Sequence, residues 1–196
     1  GPSEILIIAD NKQDPVFVAA DVLSQAEHDR LARALLLTDD AAFAQTVAAE
    51  VDRQLALLPR KDIAAYSVEH AGGIILVKDQ EEACDLANRI APEHLELAAE
   101  NCEELLPKIK NAGAVFMGSY TPEPVGDYFA GPNHTLPTGG TARFFEVLNQ
   151  DIFLRKMSVI RYSEGAVCED GPDIIRLAES EHLHAHANAI RVRLQK

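Results

Sequence analysis

The chain has 196 residues, 47% of them hydrophobic and 25% charged, with a formal net charge of −13. That apolar share supports a packed core for one large domain or one and a half ordinary ones, and no run reaches the roughly 18 apolar residues of a membrane span. The acidic balance argues against nucleic acid and membrane as partners, because phosphate is met by clustered Lys and Arg.

Cys84, Cys102 and Cys168 are odd in number and form no CxxC pair. With no basic, apolar export leader in view, they predict a reduced, cytoplasmic protein. In chain order, Ile5-Leu6-Ile7-Ile8-Ala9 reads as a buried strand. Asp14-Pro15 opens a helix to about residue 28, with Asp as N-cap and Pro at the first position. A strand over 34–38 follows. Asp39 and Asp40 then cap a long Ala-rich helix ending near 59, and a further helix runs to 70.

Gly72-Gly73 breaks the pattern before a third buried strand over 74–77 and an amphipathic helix over 79–91. A brief strand over 95–97, a helix from Asn101 to about 110 and a strand over 114–117 continue the alternation. Short, continuously apolar strands between helices imply a parallel sheet covered on both faces. Residues 120–142 hold four prolines and four glycines and read as a long rigid loop; a loop that long in a compact domain is usually functional. Helices over 142–149 and 151–157, a strand over 158–162 and two helices over 172–181 and 185–194 complete the expectation.

Six of the seven histidines fall in four short words, most with a carboxylate or carboxamide nearby, as zinc and proton-transfer chemistry require. Gln25 and His28 in SQAEH are three apart on a helix and share a face; the same pair also fits an ordinary helix C-terminus. Glu93 and His94 follow Pro92 and enter a strand, where carboxylate and imidazole together can activate water or simply line a polar loop. Asp127 and His134 lie in the long loop as a candidate metal ligand and substrate contact. Near the end come Glu181, His182, His184 and His186, which also fit a solvated surface. GxGxxG, GxxxxGK[ST] and GxSxG do not occur.

Taken in order, GPSE, SQAEH, PEH, GDY, GPNHxLPTxGTAR and AExExLxAH resemble the C-terminal half of histidinol dehydrogenase, in one register over essentially the whole chain. The resemblance implies NAD-dependent oxidation of L-histidinol, through the aldehyde, to L-histidine in histidine biosynthesis. It implies one zinc ion per site, held by Gln25, His28, Asp127 and His186, with the first three ligands and His186 also touching substrate. Glu93 and His94 carry over as the proton-transfer pair, with His94 contacting substrate as well. Ser3, His134 and Glu181 carry over as further substrate contacts. The implied assembly is a homodimer whose tail crosses over, so that Glu181 and His186 complete the partner's site. Most NAD contacts are expected in the half of the family's sequence that precedes GPSE.

The expected fold class is therefore α/β: an incomplete Rossmann-like parallel sheet with helices on both faces over 1–157, then a small, mostly helical C-terminal tail over 158–196. A non-catalytic zinc- or ligand-binding module, or an inactive fragment, is the competing reading.

Overall fold

A computed structural model describes residues 3–195; Gly1 and Pro2 of the GPSE word lie outside them. Two compact units divide after Phe153. No helix among the described residues is long and apolar enough to cross a membrane.

The first unit is built on strands β1 (Glu4–Ala9), β2 (Arg33–Thr38), β3 (Gly73–Leu76), β4 (His94–Ala98) and β5 (Ala114–Met117). They form one parallel sheet in the order β3-β2-β1-β4-β5, which is the order of one half of a doubly wound fold and its first neighbours. Helices α1 (Pro15–Ala26), α2 (Ala41–Leu55) and α3 (Lys61–Ala71) accompany one face, and α4 (Gln80–Ile90) and the single turn α5 (Cys102–Leu105) the other. The expected Rossmann-like parallel sheet with helices on both faces is the fold observed.

Both faces of β1 are covered, which explains its unbroken apolar run. Ile5 and Ile7 pack with Val18, Val22, Leu36 and Val47 on one side, while Leu6 and Ile8 pack with Ala83, Leu95 and Leu97 on the other. Asp14, Asp40 and Asp79 each cap a helix by accepting backbone N–H groups of its first turn.

Strand β4 alternates in a way that positions the site. Leu95 and Leu97 enter the α4 core, so His94, Glu96 and Ala98 turn toward α1. These side chains stand opposite Ile5, Ile7 and Ala9 of β1.

Several expectations are corrected. The strand predicted over 74–77 lies at the sheet edge; Ile74, Ile75 and Leu76 are 36%, 39% and 57% exposed, because among the described residues β3 pairs with β2 alone. The loop predicted over 120–142 contains helix α6 (Glu123–Tyr128), whose Pro124 sits in the first turn, where a missing N–H costs no intrahelical bond. The helix from 101 to 110 stops after one turn and continues as a 3-10 turn, Leu106–Lys108, that includes Pro107. Helices predicted over 142–149 and 151–157 reduce to the 3-10 turns Thr141–Arg143 and Gln150–Phe153.

The strand predicted over 158–162 is not formed, and Val159 and Ile160 remain more than 80% exposed, with no neighbouring strand among the described residues. The second unit is a hairpin of α7 (Glu164–Ser180) and α8 (His184–Leu194). Helix α7 begins eight residues before the predicted 172, with Ser163 accepting the Ala166 N–H as its N-cap, and it carries Pro172 internally. Gly171 is where the two helices meet: a Cβ there would stand 3.0 Å from Leu194 and 3.2 Å from Ile190.

Candidate functional site

The site forms at the amino-terminal ends of β1 and β4, on the α1 side. His94, 4% exposed, is its centre. Its Nδ1 lies 3.0 Å from the Glu4 carbonyl oxygen and 3.1 Å from Gln25 Oε1. Both partners are acceptors as placed, so Nδ1 carries the hydrogen and donates to them. The tautomer leaves Nε2 with a free lone pair. Burial holds the imidazole below its usual pKa and keeps it neutral near pH 7.

Among the described residues, His94 Nε2 is the buried side-chain polar atom without a hydrogen-bond partner. It points at acids. Glu123 Oε1 is 4.0 Å away, and donor atoms of His94, Glu123 and Asp127 all lie within 4.8 Å of one another. Glu123 and Asp127 are one turn apart on α6 and so share its face.

Beside His94, Glu93 is 7% exposed and accepts the Glu4 N–H at 2.9 Å. Burial outweighs that bond, and the charges of Glu4 and Asp127 add to it, pushing Glu93 up to about 7. The backbone of Glu4 thus holds both members of the pair, its N–H on Glu93 and its carbonyl on His94. Gly113 lets β5 close on them: its N–H donates to Pro92, and a Cβ would come within 2.6 Å of the Glu93 carbonyl oxygen.

A further pair of carboxyls lies deeper. Glu96, 3% exposed, accepts the Glu123 N–H at 2.9 Å and is hydrogen-bonded to Asp21 of α1. Two adjacent carboxyls in a dry site hold a proton between them. Burial and the Asp21 charge push Glu96 up to about 9, and burial pushes Asp21 up to about 6. Glu123 rises to about 8 through burial and its contact with Asp127.

The structure brings together Gln25, Glu93, His94 and Asp127 of the sequence-predicted residues. His28, exposed at the end of α1, is near enough to disfavour a charge on His94. His134 joins Asp127 in lining a cavity of about 130 Å³ with Asn133, Phe116 and Gly126. Ser3 precedes β1, its carbonyl accepting the Arg33 N–H. Glu181 and His186 are exposed at the α7–α8 hairpin of the second unit.

Sequence reasoning missed Glu4, Asp21, Glu96 and Glu123. Two signals were available: a carboxylate inside an apolar strand, Leu95-Glu96-Leu97, and acids four residues before Gln25 and before Asp127. The second signal was hidden by reading α6 as loop.

Doubly wound sheets usually bind ligands at the opposite, carboxyl-terminal edge. At that edge Asp10 accepts the N–H groups of Lys12 and Glu100 at 2.9 and 2.8 Å.

The residues present fit a metal ion. The carboxylates that the orphaned imidazole nitrogen faces, with a carboxamide oxygen and a second histidine close by, are a mixed N/O donor set of the kind zinc accepts. The geometric group His94–Glu123–Asp127 and the implied set of Gln25, His28, Asp127 and His186 share Asp127. Nδ1 of His94 is occupied, and Gln25 Oε1 keeps a second lone pair.

Fold and site together define an α/β protein with a buried imidazole–carboxylate centre at the amino ends of a doubly wound parallel sheet. The sequence profile of histidinol dehydrogenase matches residues 1–194, and the chain belongs to that family. It is 55% identical to the histidinol dehydrogenase of Geobacter metallireducens, over 100% of this chain and 45% of the relative. It is 53% identical to that of Carboxydothermus hydrogenoformans, over 99% of this chain and 46% of the relative. The crystal structure of histidinol dehydrogenase from Elizabethkingia anophelis superposes with a TM-score of 0.92 at 44% identity, covering 100% of this chain and 45% of that one. The chain spans a little under half the length of these relatives.

Proposed function

We propose that this chain carries the metal- and substrate-binding portion of a zinc- and NAD-dependent enzyme that oxidises L-histidinol to L-histidine through L-histidinal. The observation that carries the reading is His94 Nε2, a buried, unpartnered lone pair facing carboxylates. Buried polar atoms that only pack normally find a partner.

Gln25, His28 and Asp127 would hold the zinc, with His186 as fourth donor. When bound, the ion supplies a Lewis acid that fixes the imidazole and amine of histidinol. Ser3, His134 and Glu181 are the proposed further substrate contacts. Glu181 and His186, exposed on a hairpin that forms its own compact unit, would complete the site of a second copy in a homodimer.

No side chain here accepts hydride, so NAD is the proposed acceptor. His94 would take the alcohol proton at Nε2 as hydride leaves. The Glu4 carbonyl and Gln25 hold Nδ1–H and aim the free lone pair at the substrate. The second oxidation needs water added to the aldehyde, and Glu93, with a pKa near pH 7, is suited to take the proton from that water.

The test is zinc titration of the chain by calorimetry, with and without L-histidinol, beside Gln25→Ala and His186→Ala. Near-stoichiometric zinc, bound tighter with histidinol and lost in both variants, is the expected result. Absence of specific zinc binding would overturn the proposal.

A further inference from the structure

Helix α1 packs against β4 in the opposite direction, which decides which residues stand level. Two residues along a strand advance about 6.6 Å, and four residues along a helix about 6 Å. The step from His94 to Glu96 therefore matches the step from Gln25 back to Asp21. Both pairs meet: His94 with Gln25 at 3.1 Å, and Glu96 with Asp21 through their carboxyls. Helix α6 repeats the spacing, with Glu123 one turn before Asp127. The Glu123 N–H donates to Glu96 at 2.9 Å, while its carboxylate reaches toward His94. A lower layer of Asp21, Glu96 and Glu123 thus lies beneath the upper layer of Gln25, His94 and Asp127.

We propose that Glu96 is a positioning residue: its carboxyl ties α1 to α6 across β4 and so sets the separation between Gln25 on α1, with His28 in the turn just after that helix, and Asp127 on α6. This rests on the metal-site reading given above. Packing alone gives no reason for a carboxyl here. Glu96 stands between Ile7 of β1 and Phe116 of β5, and a buried carboxyl without partners costs free energy that an apolar side chain of equal size does not. Its two partners come from α1 and α6, the helices that carry the proposed donors Gln25 and Asp127. Residues behind metal ligands typically change metal affinity by about 10- to 100-fold when removed.

The experiment compares the unmodified chain with Glu96→Met, Glu96→Gln, Asp21→Ala and the control His28→Ala. One readout is cobalt(II) affinity from its visible spectrum, and the other is hydrogen exchange of the Glu123 amide in metal-free protein. A glutamine amide keeps one donor for Asp21 and one acceptor for the Glu123 N–H, whereas methionine of similar length offers neither. Glu96→Met and Asp21→Ala are expected to exchange the Glu123 amide about tenfold faster and to bind cobalt about 10- to 100-fold more weakly. Glu96→Gln should stay within about threefold of the unmodified chain on both readouts.

Unchanged cobalt affinity in Glu96→Met overturns the inference, whatever the amide does, and so does a Glu96→Gln variant as impaired as Glu96→Met. If Glu96→Met does not fold by circular dichroism, Asp21→Ala, at a half-buried position, decides by the same criteria. Cobalt binding that survives His28→Ala unchanged overturns the donor assignment instead. That failure is told apart by the Glu123 amide, which does not depend on metal.

Discussion

Gln25 Oε1 stands 3.1 Å from His94 Nδ1, so two residues 69 positions apart in the chain share one hydrogen. Because the Glu4 carbonyl accepts the same hydrogen, the ring has one available tautomer and one available lone pair.

The first prediction concerns that lone pair. Nitrogen-15 spectra of the metal-free chain should show His94 neutral at pH 7 with the hydrogen on Nδ1, as burial lowers its pKa. His94→Asn should reduce histidinol oxidation by about 10²- to 10⁴-fold and leave zinc affinity within about threefold, because Nε2 is proposed as base and not as ligand. Loss of zinc in this variant would make His94 a ligand.

Glu93 and His94 are neighbours with separable roles. Glu93→Gln should spare alcohol oxidation and slow aldehyde oxidation by about 10²-fold or more. With the Glu93 pKa raised to about 7, the aldehyde step of the unmodified protein should quicken as pH rises through 7 and level off above it. Equal loss of both steps in Glu93→Gln would reject the division of labour.

Stability of the metal-free chain should depend on pH through Glu96. Its folded pKa is raised to about 9 from 4.5, chiefly by burial. The folded state therefore holds a proton that the unfolded state has released across that window. Stability from this group is complete below about pH 4.5 and is lost as pH rises toward 9. The difference in Tm between the unmodified chain and Glu96→Gln, which cannot ionise, should thus shift against the unmodified chain from pH 5 to pH 9. A difference independent of pH would mean that Glu96 ionises normally.

Gly126 controls how closely α6 approaches the sheet. A Cβ there would fall 2.5 Å from Phe116 Cε1, and the Phe116 ring packs 5.9 Å from that of His94. Gly126→Ala must displace either α6 or the ring, and with it Asp127. Zinc affinity should fall by about tenfold or more, with the far-UV spectrum unchanged. An unaltered affinity would show that Asp127 tolerates the shift or does not ligate.

The sheet was legible because most of its strands are short apolar runs and the starts of α1, α2 and α4 each carry a capping Asp. Ile5 to Ala9 and Asp14-Pro15 needed no tertiary information. Helix α6 was not legible: Pro122, Pro124 and Gly126 mark a loop by local propensity, and contacts with Phe116 and Glu96 override it. The edge position of Ile74 to Leu76 was equally hidden, because an apolar run does not reveal how many neighbours it has. The residues over 158–162 show the reverse error, with strand-like composition and no strand beside them.

By itself, the sequence determined the α/β alternation, the caps and the words that carry Gln25, His28, Glu93, His94 and Asp127, since these depend on local spacing and residue chemistry. The tertiary structure alone decided that Glu4 and Gln25 set the tautomer of His94, and that Asp21, Glu96 and Glu123 lie as a layer beneath the site. Those relationships depend on the opposite directions of β4 and α1 and on the register of β1 against β4. Such distances exist only when the chain is packed, because the residues that make them are far apart in sequence and have no shared period.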